Sequence, residues 1–533
     1  MTKRQGKDRQ RRERTEQTGI SKSGVFREKK DVFSAVFAAG GTFAALVLLA
    51  LTAFCGSATA LAAGEEPVHI VMTYQTYEGS RLQDLQEVEE AVNAITVPEL
   101  GVEVEFLVVG AQDAYTEYSL WISNRKQVDL MMLNYQDITA YISRDMLLPL
   151  DELLEEEAPD IAAVLKERDL TEGAVIEEQV YGVTPVTDAF GSGGGLWVPY
   201  SLVQESGIAY EETRVYTLEE LSGFFALWKE CYPDAYPLGQ ITSGATYSTM
   251  SYYGMMTDGL GGDVSTGVLD RKNGSKIVNF FAGEEYREFL EYLRQWYLDG
   301  YIYPDAAFTD TPKSELFAEG ILLSNPLSSQ PGFGGSAQFG EDAVCLRTSA
   351  VTAGHQYARS GFWVIPSSAR HPEAAMRFLN AMYGDVRIAN LIQYGIEGKH
   401  YVVLEEESRR IGFPEGVNAQ NTGYYNVLGL YGDRRKMYTF DSEELIEQKR
   451  RYSEEALQNQ EPARDFVYST QNVEKEIAAV QKIVEYYVPV LESGSVDLDR
   501  YYPEFLEELE KAGISEIIAD KQAQYDAWLT VRK

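Results

Sequence analysis

The hydrophobic pattern at the start of the folded body predicts strands that alternate with helices. The apolar run Val68–Tyr74 predicts a buried strand, and Val102–Phe106 alternates apolar and polar residues as a half-buried strand does. Between them, Arg81–Ile95 places apolar residues at helical spacing. An amphipathic helix at Ala114–Asn124 then precedes a third strand at Asp129–Leu133. This order of elements is typical of a parallel sheet with crossover helices.

Along the rest of the chain, helical periodicity is more frequent than strand periodicity. Short strands are predicted at Gly194–Val198 and Phe362–Ile365. Helices are predicted at Leu218–Lys229, Glu285–Leu298, Pro372–Met382, Val473–Val488 and Pro503–Ala512. The glycine-rich stretch Gly191–Gly195 lacks the Lys-Ser/Thr that completes a phosphate-binding loop, so we interpret it as a hinge or turn.

Residues 1–63 have the pattern of an export signal. They hold 11 Lys and Arg against 5 Asp and Glu, and the uncharged stretch Val32–Gly64 ends in small residues that fit an A-x-A cleavage site. Cys55 resembles a lipidation cysteine, although Phe54 before it is bulky. Cleavage, lipid attachment and an uncleaved anchor therefore remain open. All three place the body outside the cytoplasmic membrane, either on its extracellular face or secreted.

Charge and composition narrow the class of function. The chain of 533 residues has a formal net charge of −35, and since residues 1–63 carry +6, the remainder carries −41. No basic patch is evident, which argues against nucleic acid as a partner. The four histidines do not pair at metal spacing, and no nucleophile elbow or nucleotide-binding loop occurs. We expect no metal, no cofactor and no catalytic residues.

Several motifs in the body match one family in order and spacing. The pattern resembles bacterial extracellular solute-binding proteins of the carbohydrate type, within the Gram-positive lipoprotein branch that has an extra C-terminal region. The segments that carry the resemblance are Val128–Met131, Met146–Leu154, Val180–Pro185, Trp296–Ile302, Phe317–Gly320 and His371–Ala375. Segments more specific for the branch are Ile392–Tyr401, Gly494–Asp497, Leu509–Ile514 and Gln522–Trp528.

The resemblance implies an α/β, two-lobe, periplasmic-binding-protein-like fold with a multi-strand hinge, preceded by the signal or anchor segment. Lobe 1 is expected at 66–186 plus about 309–350. Lobe 2 is expected at 187–308 plus about 351–533, and it includes a C-terminal helical extension. The implied role is the substrate-binding component of an ABC importer. The resemblance implies a monomer that binds a small ligand, here an oligosaccharide, and then binds the transmembrane permease subunits.

Ligands of open α/β sheets bind beyond the carboxyl ends of the strands, and sugars need flat rings together with planar hydrogen-bonding groups. The candidate ligand contacts are therefore polar and aromatic residues near predicted strand ends, crossings and the branch-specific motif. They are Tyr74, Gln75, Asn134, Tyr135, Asp188, Tyr253, Trp363, Tyr394 and Glu397. For Trp363, packing in the core remains an equal alternative to stacking on the ligand. For Tyr394 and Glu397, the alternative is a structural turn that needs Gly395 and Gly398.

Two other functions remain open. A secreted glycoside hydrolase would need two carboxyl groups about 5–9.5 Å apart across a cleft, and the sequence identifies no such pair. A ligand-loaded sensor subunit that signals to a membrane kinase would have the same fold and the same ligand. The sequence does not separate sensing from transport.

Overall fold

The computed structural model describes most of the body of the chain. The described residues are 66–77, 79–134, 137–171, 175–176, 178–239, 260, 264–270, 272–309, 311–332, 339–340, 342–354, 361–427 and 429–531. The predicted signal or anchor segment 1–63 lies outside them, as do Tyr135 and Tyr253. Among the described helices, none combines the length and apolar character needed to cross a bilayer.

The strands are short apart from two. They are β1 Val68–Thr76, β2 Arg81–Leu82, β3 Val102–Gly110, β4 Met131–Leu133, β5 Val175–Ile176, β6 Gln179–Val180, β7 Gly194–Pro199, β8 Val268–Leu269, β9 Ile277–Val278, β10 Asn325–Ser328, β11 Ala343–Arg347, β12 Phe362–Val364, β13 Val402–Glu405, β14 Arg410–Gly412 and β15 Tyr424–Tyr425.

The α-helices are spread along the chain and end in a run of four. They are α1 Leu85–Leu100, α2 Ala114–Ser123, α3 Ile138–Ile142, α4 Asp151–Glu157, α5 Pro159–Glu167, α6 Tyr200–Glu205, α7 Leu218–Cys231, α8 Glu284–Leu298, α9 Lys313–Ala318, α10 Pro372–Gly384, α11 Val386–Tyr394, α12 Glu443–Gln458, α13 Glu474–Glu492, α14 Leu498–Ala512 and α15 Ile514–Val531.

A mixed sheet forms the frame of the first half of the body. Strands β1 and β3 pair in parallel over their whole length, from Val68 opposite Val102 to Thr76 opposite Gly110. A parallel bridge from Met72 to Leu130 adds the strand β4, which pairs antiparallel with β12. Trp363 of β12 then bridges to Val183. The predicted parallel β-α-β order is therefore confirmed, and an antiparallel strand extends it.

Two large hydrophobic cores divide the body. One is built from segments between Ile70 and Phe190 together with segments between Val351 and Ala456. The other is built from segments between Leu196 and Leu346 together with segments between Ala463 and Tyr525. We name them core A and core B. The chain therefore passes between the cores near 190–196, 346–351 and 456–463.

The packing differs from the expected lobe division at two segments. Leu316 and Leu322 form a small cluster with Tyr303, and Leu346 is in core B. The expected lobe 1 would place these residues of 309–350 in core A, and they are not there. Trp363 and Phe378 are in core A, whereas the expected lobe 2 includes about 351–533. The physical reason is strand pairing. Strand β12 hydrogen-bonds to β4, whereas β10 and β11 flank β7.

The three crossings lie side by side. Ser192 of the first crossing bridges to Thr352 of the second, and Ala353 bridges to Gln460 of the third. Gly191, at φ +135°, lies against the second crossing, because a Cβ atom there would lie 2.7 Å from Val351. The interpretation of Gly191–Gly195 as a hinge or turn agrees with this close approach.

Candidate ligand site at the strand ends

The candidate site begins at the edge of the core A sheet where several strands end. Strands β1 and β4 run parallel and end at Thr76 and Leu133. The segment at Val183 runs antiparallel to β12, hence in the same direction as β4, and it leads to Asp188 and the first crossing. Polar groups that follow these strands, such as Asn134 and Asp188, are thereby brought to one edge of the sheet.

Asp188 is the centre of a cluster of charged side chains. Lys449 of α12 approaches its carboxylate at 3.2 Å and Arg434 approaches it at 3.5 Å. Lys449 also contacts Asp441 at 2.6 Å. We name Asp188, Arg434, Asp441 and Lys449 the charge cluster. Burial alone would raise the pKa of Asp188, but the positive charges of Arg434 and Lys449 outweigh it, so the pKa is lowered and the carboxylate stays ionised.

Tyr394 connects the charge cluster to a group of aromatic rings. Its ring centroid lies 5.8 Å from that of Phe440, which stacks on Phe413 at 4.6 Å and lies 6.5 Å from Tyr425. We name these four rings the aromatic cluster. Burial raises the pKa of Tyr394 to about 12, with Arg434 opposing the shift and Asp188 adding to it. The hydroxyl is therefore neutral and able to donate a hydrogen bond.

Two of the predicted contacts, Asp188 and Tyr394, are thus brought together although 206 positions separate them in the sequence. Their partners Arg434, Asp441, Lys449 and Phe440 were not predicted. One signal was available: Arg434 and Lys449 each begin a run of three basic residues, Arg434-Arg435-Lys436 and Lys449-Arg450-Arg451, in an otherwise acidic body. The cluster offers carboxylates, a guanidinium, an ammonium and flat rings, which suit a ligand rich in hydroxyl groups.

Two other predicted contacts, Tyr74 and Gln75, lie near the end of β1 as expected, but both are buried and bonded to other protein groups. Tyr74 has no exposed surface, and its hydroxyl lies 2.6 Å from that of Tyr424 and accepts from Asn426 at 2.6 Å. Gln75 donates to the Tyr118 hydroxyl at 3.1 Å and to the Met132 carbonyl at 2.8 Å. These polar atoms are engaged by the protein because a buried group without a partner costs free energy.

Trp363 is likewise 1 % exposed, and its indole N–H donates to the Leu430 carbonyl at 3.0 Å. This is the core-packing alternative for that residue. Trp363 is buried because β12 pairs with β4 on one side and bridges to Val183 on the other.

The remaining predicted contacts are exposed or lie outside the described residues. Asn134 is exposed, and its amide nitrogen lies 3.5 Å from Asp137. Glu397 is exposed in a turn in which Gly395 has φ +79° and a Cβ would lie 2.4 Å from His400. His400 in turn accepts from the Ile396 N–H at 2.9 Å, so this turn has a structural role. Tyr135 and Tyr253 lie outside the described residues.

Metal and disulfide chemistry is not found in the part of the chain that the structure describes. No group of three or more His, Cys, Asp and Glu side chains there is arranged to hold a metal ion. Cys231 is exposed and Cys345 is buried, and neither forms a disulfide.

Comparison with known protein families accounts for most of the chain. Residues 84–386, more than half of the chain, match the family described as bacterial extracellular solute-binding protein. Residues 462–530 match a domain of unknown function, DUF3502. A relative from Streptococcus pneumoniae serotype 4, named carbohydrate ABC transporter substrate-binding protein, is 24 % identical over 510 residues, which are 92 % of this chain and 97 % of that protein.

Solved structures agree with the predicted fold class and confirm it. The N-glycan transport solute-binding protein of Streptococcus pneumoniae has a TM-score of 0.72 at 22 % identity, over 87 % of this chain and 100 % of that chain. The same protein has also been solved with Man5GlcNAc, at a TM-score of 0.64, 21 % identity and coverage of 87 % and 99 %. A human-milk-oligosaccharide (HMO) binding, ABC-transporter-associated solute-binding protein of Bifidobacterium longum infantis has a TM-score of 0.62 at 14 % identity, over 87 % and 99 %.

Proposed function

The chain belongs to the family of bacterial extracellular solute-binding proteins, and from that premise we propose that it is the substrate-binding component of an ABC importer that reversibly captures an oligosaccharide. The observation that carries the proposal is the near full-length similarity to a carbohydrate ABC transporter substrate-binding protein, over 92 % of this chain. Glycan complexes of the pneumococcal N-glycan transport protein support an oligosaccharide as the ligand.

The lobes follow from the two cores. Lobe 1 comprises the described residues within 66–190 and 351–456, and lobe 2 comprises the described residues within 194–346 and 463–531. The three paired crossings form the hinge between them. Rotation about these crossings opens and closes the space in front of the strand ends, and the ligand binds the closed form more tightly. No covalent step is needed, so the ligand is released unchanged to the permease.

The charge and aromatic clusters supply the chemistry of capture. Flat rings such as Phe413 and Tyr425 match the apolar faces of pyranose rings, and Asp188 and Arg434 match their hydroxyl groups. Because Asp188 and Tyr394 have protein partners already, they are held in position before the ligand arrives, which lowers the entropic cost of binding.

A screen of ligands tests the proposal. We expect the purified protein to gain thermal stability with mannose–N-acetylglucosamine, fructan or milk oligosaccharides. A glycan at a hundredfold excess over its Kd would stabilise the protein by about 2.7 kcal/mol. Calorimetric titration should then give a stoichiometry near one. A clear shift with peptides and none with any glycan would overturn the oligosaccharide assignment.

The same samples separate capture from catalysis. After prolonged incubation, chromatography should recover the bound oligosaccharide intact. Release of shorter sugars would support the alternative of a glycoside hydrolase. To separate transport from sensing, uptake of the labelled sugar should be measured in a strain that lacks the gene. Undiminished uptake would contradict the role as an importer component.

We also propose that residues 1–63 export the body to the extracellular face of the membrane. The basic start, the uncharged stretch and the small residues before Gly64 support this role. Cell fractionation and mass spectrometry of the mature N-terminus test it. A mature chain that begins near Ala63 indicates cleavage, and a lipid on Cys55 indicates anchoring. A body recovered from the cytoplasm would contradict export.

A further inference from the structure

A groove runs between lobe 1 and the C-terminal helices. Its lobe 1 wall includes Ile142 of α3 and Ile176 of the β5–β6 hairpin. Its other wall includes Phe466, Ala527 and Trp528. The groove has a volume of about 790 Å³, within the range of about 300–1,000 Å³ that small-molecule sites occupy.

Trp528 presents a rigid flat surface in this groove. Its ring stacks on Tyr525 with centroids 5.6 Å apart and planes at 20°. Phe466 meets it edge-on at 5.7 Å and 66°. Tyr525 is itself 1 % exposed, so the stack is anchored in core B. An aromatic ring held in this way is preorganised to stack on a pyranose ring.

Planar polar groups line the groove beside the ring. The Gln524 amide donates to the Ser469 carbonyl at 2.8 Å and accepts from the Ser469 N–H at 2.9 Å, so its plane is fixed. Gln471 on the same wall and Glu178 on the opposite wall are exposed. Amides and carboxylates beside a flat ring are the combination that sugar hydroxyl groups require.

The lobe 1 wall of the groove follows the strand-end site closely in the sequence. Helix α3 begins at Ile138, four residues after Asn134, and the Asp137 N–H donates to the Asn134 carbonyl at 3.1 Å. The two walls belong to different lobes, so a ligand that contacts both is bound better in one arrangement of the lobes than in another.

We propose that this groove is a second carbohydrate subsite, in which Trp528 stacks on a sugar unit of a longer or branched oligosaccharide whose first units occupy the strand-end site. The proposal rests on the proposed function, since it names a further part of the same ligand. It assigns a role to the branch-specific segment Gln522–Trp528 and to the matched domain of unknown function that contains it.

The sharpest test fills the groove without disturbing the core. Ala527 lines the groove and is exposed, whereas Ala523 is exposed one helical turn earlier on α15 and does not line it. We expect Ala527→Leu to weaken binding of the longest glycan that the wild type accepts about three- to tenfold, which is the range expected for a lost aromatic stacking contact. Ala523→Leu should bind with the wild-type Kd.

A second pair of variants tests the ring itself. Trp528→Ala should weaken binding of long glycans by a similar factor and leave the Kd of the shortest ligand unchanged, and Trp528→Phe should restore most of the loss. If Trp528→Ala is unstable because the stack on Tyr525 is lost, the Ala527→Leu variant decides the question.

The outcomes separate this proposal from the proposed function. A wild type that binds no glycan contradicts both. A wild type that binds glycans while Ala527→Leu binds all lengths with the wild-type Kd overturns the subsite and leaves the proposed function intact. Equal losses for short and long glycans also overturn it, since a remote subsite affects only ligands long enough to reach it.

Discussion

Ser192 and Thr352 exchange a reciprocal pair of backbone hydrogen bonds, in which each N–H donates to the other residue's carbonyl at 2.8 Å. This pair fastens the first crossing between the cores to the second. The third crossing is bonded to the second, because the Ala353 N–H of the second crossing donates to the Asn459 carbonyl of the third at 3.1 Å. Any rotation between the lobes must therefore take place about three segments that are held together.

A closely packed glycine in this hinge should be sensitive to substitution. Gly191 has φ +135°, and a Cβ there would lie 2.7 Å from Val351 and 2.9 Å from Tyr452. We expect Gly191→Ala to lower the free energy of unfolding by about 2–4 kcal/mol, because backbone strain and overpacking add. Thermal unfolding measures the change.

Gly207→Ala is the matched control for that variant. Gly207 also has positive φ, at +68°, but no atom lies within 4 Å of its Cβ position. Its cost should be limited to about 1–2 kcal/mol of backbone strain. Equal losses of stability in the two variants would mean that close approach at the hinge contributes nothing.

A glycine in helix α7 should respond in the opposite direction. Gly223 is exposed in the helix interior, and nothing lies within 4 Å of its Cβ position. Gly223→Ala should raise the free energy of unfolding by about 0.5–1 kcal/mol, because alanine has less conformational freedom to lose in a helix. A drop in Tm would contradict the open space around this Cβ position.

The Asp188 carboxylate should contribute stability that depends on pH. Its pKa is lowered in the folded protein, so the contribution is complete above the ordinary value of 3.8 and is lost as the pH falls through the lowered value. Asp188→Asn should therefore cost about 1–3 kcal/mol near neutral pH and progressively less below pH 3.8. Tm measured for both proteins at pH 7 and in acid checks this.

The control for Asp188 is Asp342→Asn, since Asp342 is exposed on the surface. That change should leave Tm within experimental error at both pH values. A deficit in Asp188→Asn that stays constant from neutral to acid pH would show that the ion pairs with Lys449 and Arg434 are not its source.

Most helices with a clear apolar stripe could be predicted from the sequence, and those without one could not. The stripe predicted at Val473–Val488 lies in α13 apart from Val473, which caps that helix, and the predicted helix at Glu285–Leu298 matches α8 within one residue. Helix α12 was missed because Glu443–Gln458 is dominated by charged residues. Its fold depends on tertiary contacts, such as those of the buried Tyr452, which periodicity does not report.

The candidate site shows the same limit. The end of β4, which Asn134 follows, could be located from the pattern, because the predicted strand Asp129–Leu133 ends at the same residue as β4. Which aromatic residue at such an edge faces inward depends on what covers the sheet, and Tyr74 is covered by Tyr424 and Tyr431 from a segment 350 residues away. No local signal contains that contact.

Trp363 should behave as a core residue. It is 1 % exposed, lies 5.7 Å from the Tyr431 ring and donates to the Leu430 carbonyl. We expect Trp363→Ala to destabilise the protein by about 3–5 kcal/mol. Trp363→Phe should fold and bind the ligand with the wild-type Kd. A selective loss of affinity in a stable Trp363→Phe variant would instead show that Trp363 contacts the ligand.

The C-terminal helices should be inseparable from lobe 2. Val480, Val484, Val488 and Leu491 of α13 have no exposed surface and share core B with Leu196 and other residues of the matched solute-binding family segment. Each buried aliphatic side chain contributes about 1.5–3 kcal/mol. A chain that ends at residue 461 would expose this part of core B to water, so we expect it to be insoluble or rapidly degraded.

A point variant makes the same prediction measurable in a folded protein. Leu491→Ala should lower the free energy of unfolding by about 2–5 kcal/mol, because it leaves a cavity in core B. Leu298→Ala removes the same atoms from a side chain that is 60 % exposed and should change stability by less than about 0.5 kcal/mol. If Leu491→Ala and the chain ending at 461 both kept the wild-type Tm, residues 462–531 would be an independent domain, and the shared core would be contradicted.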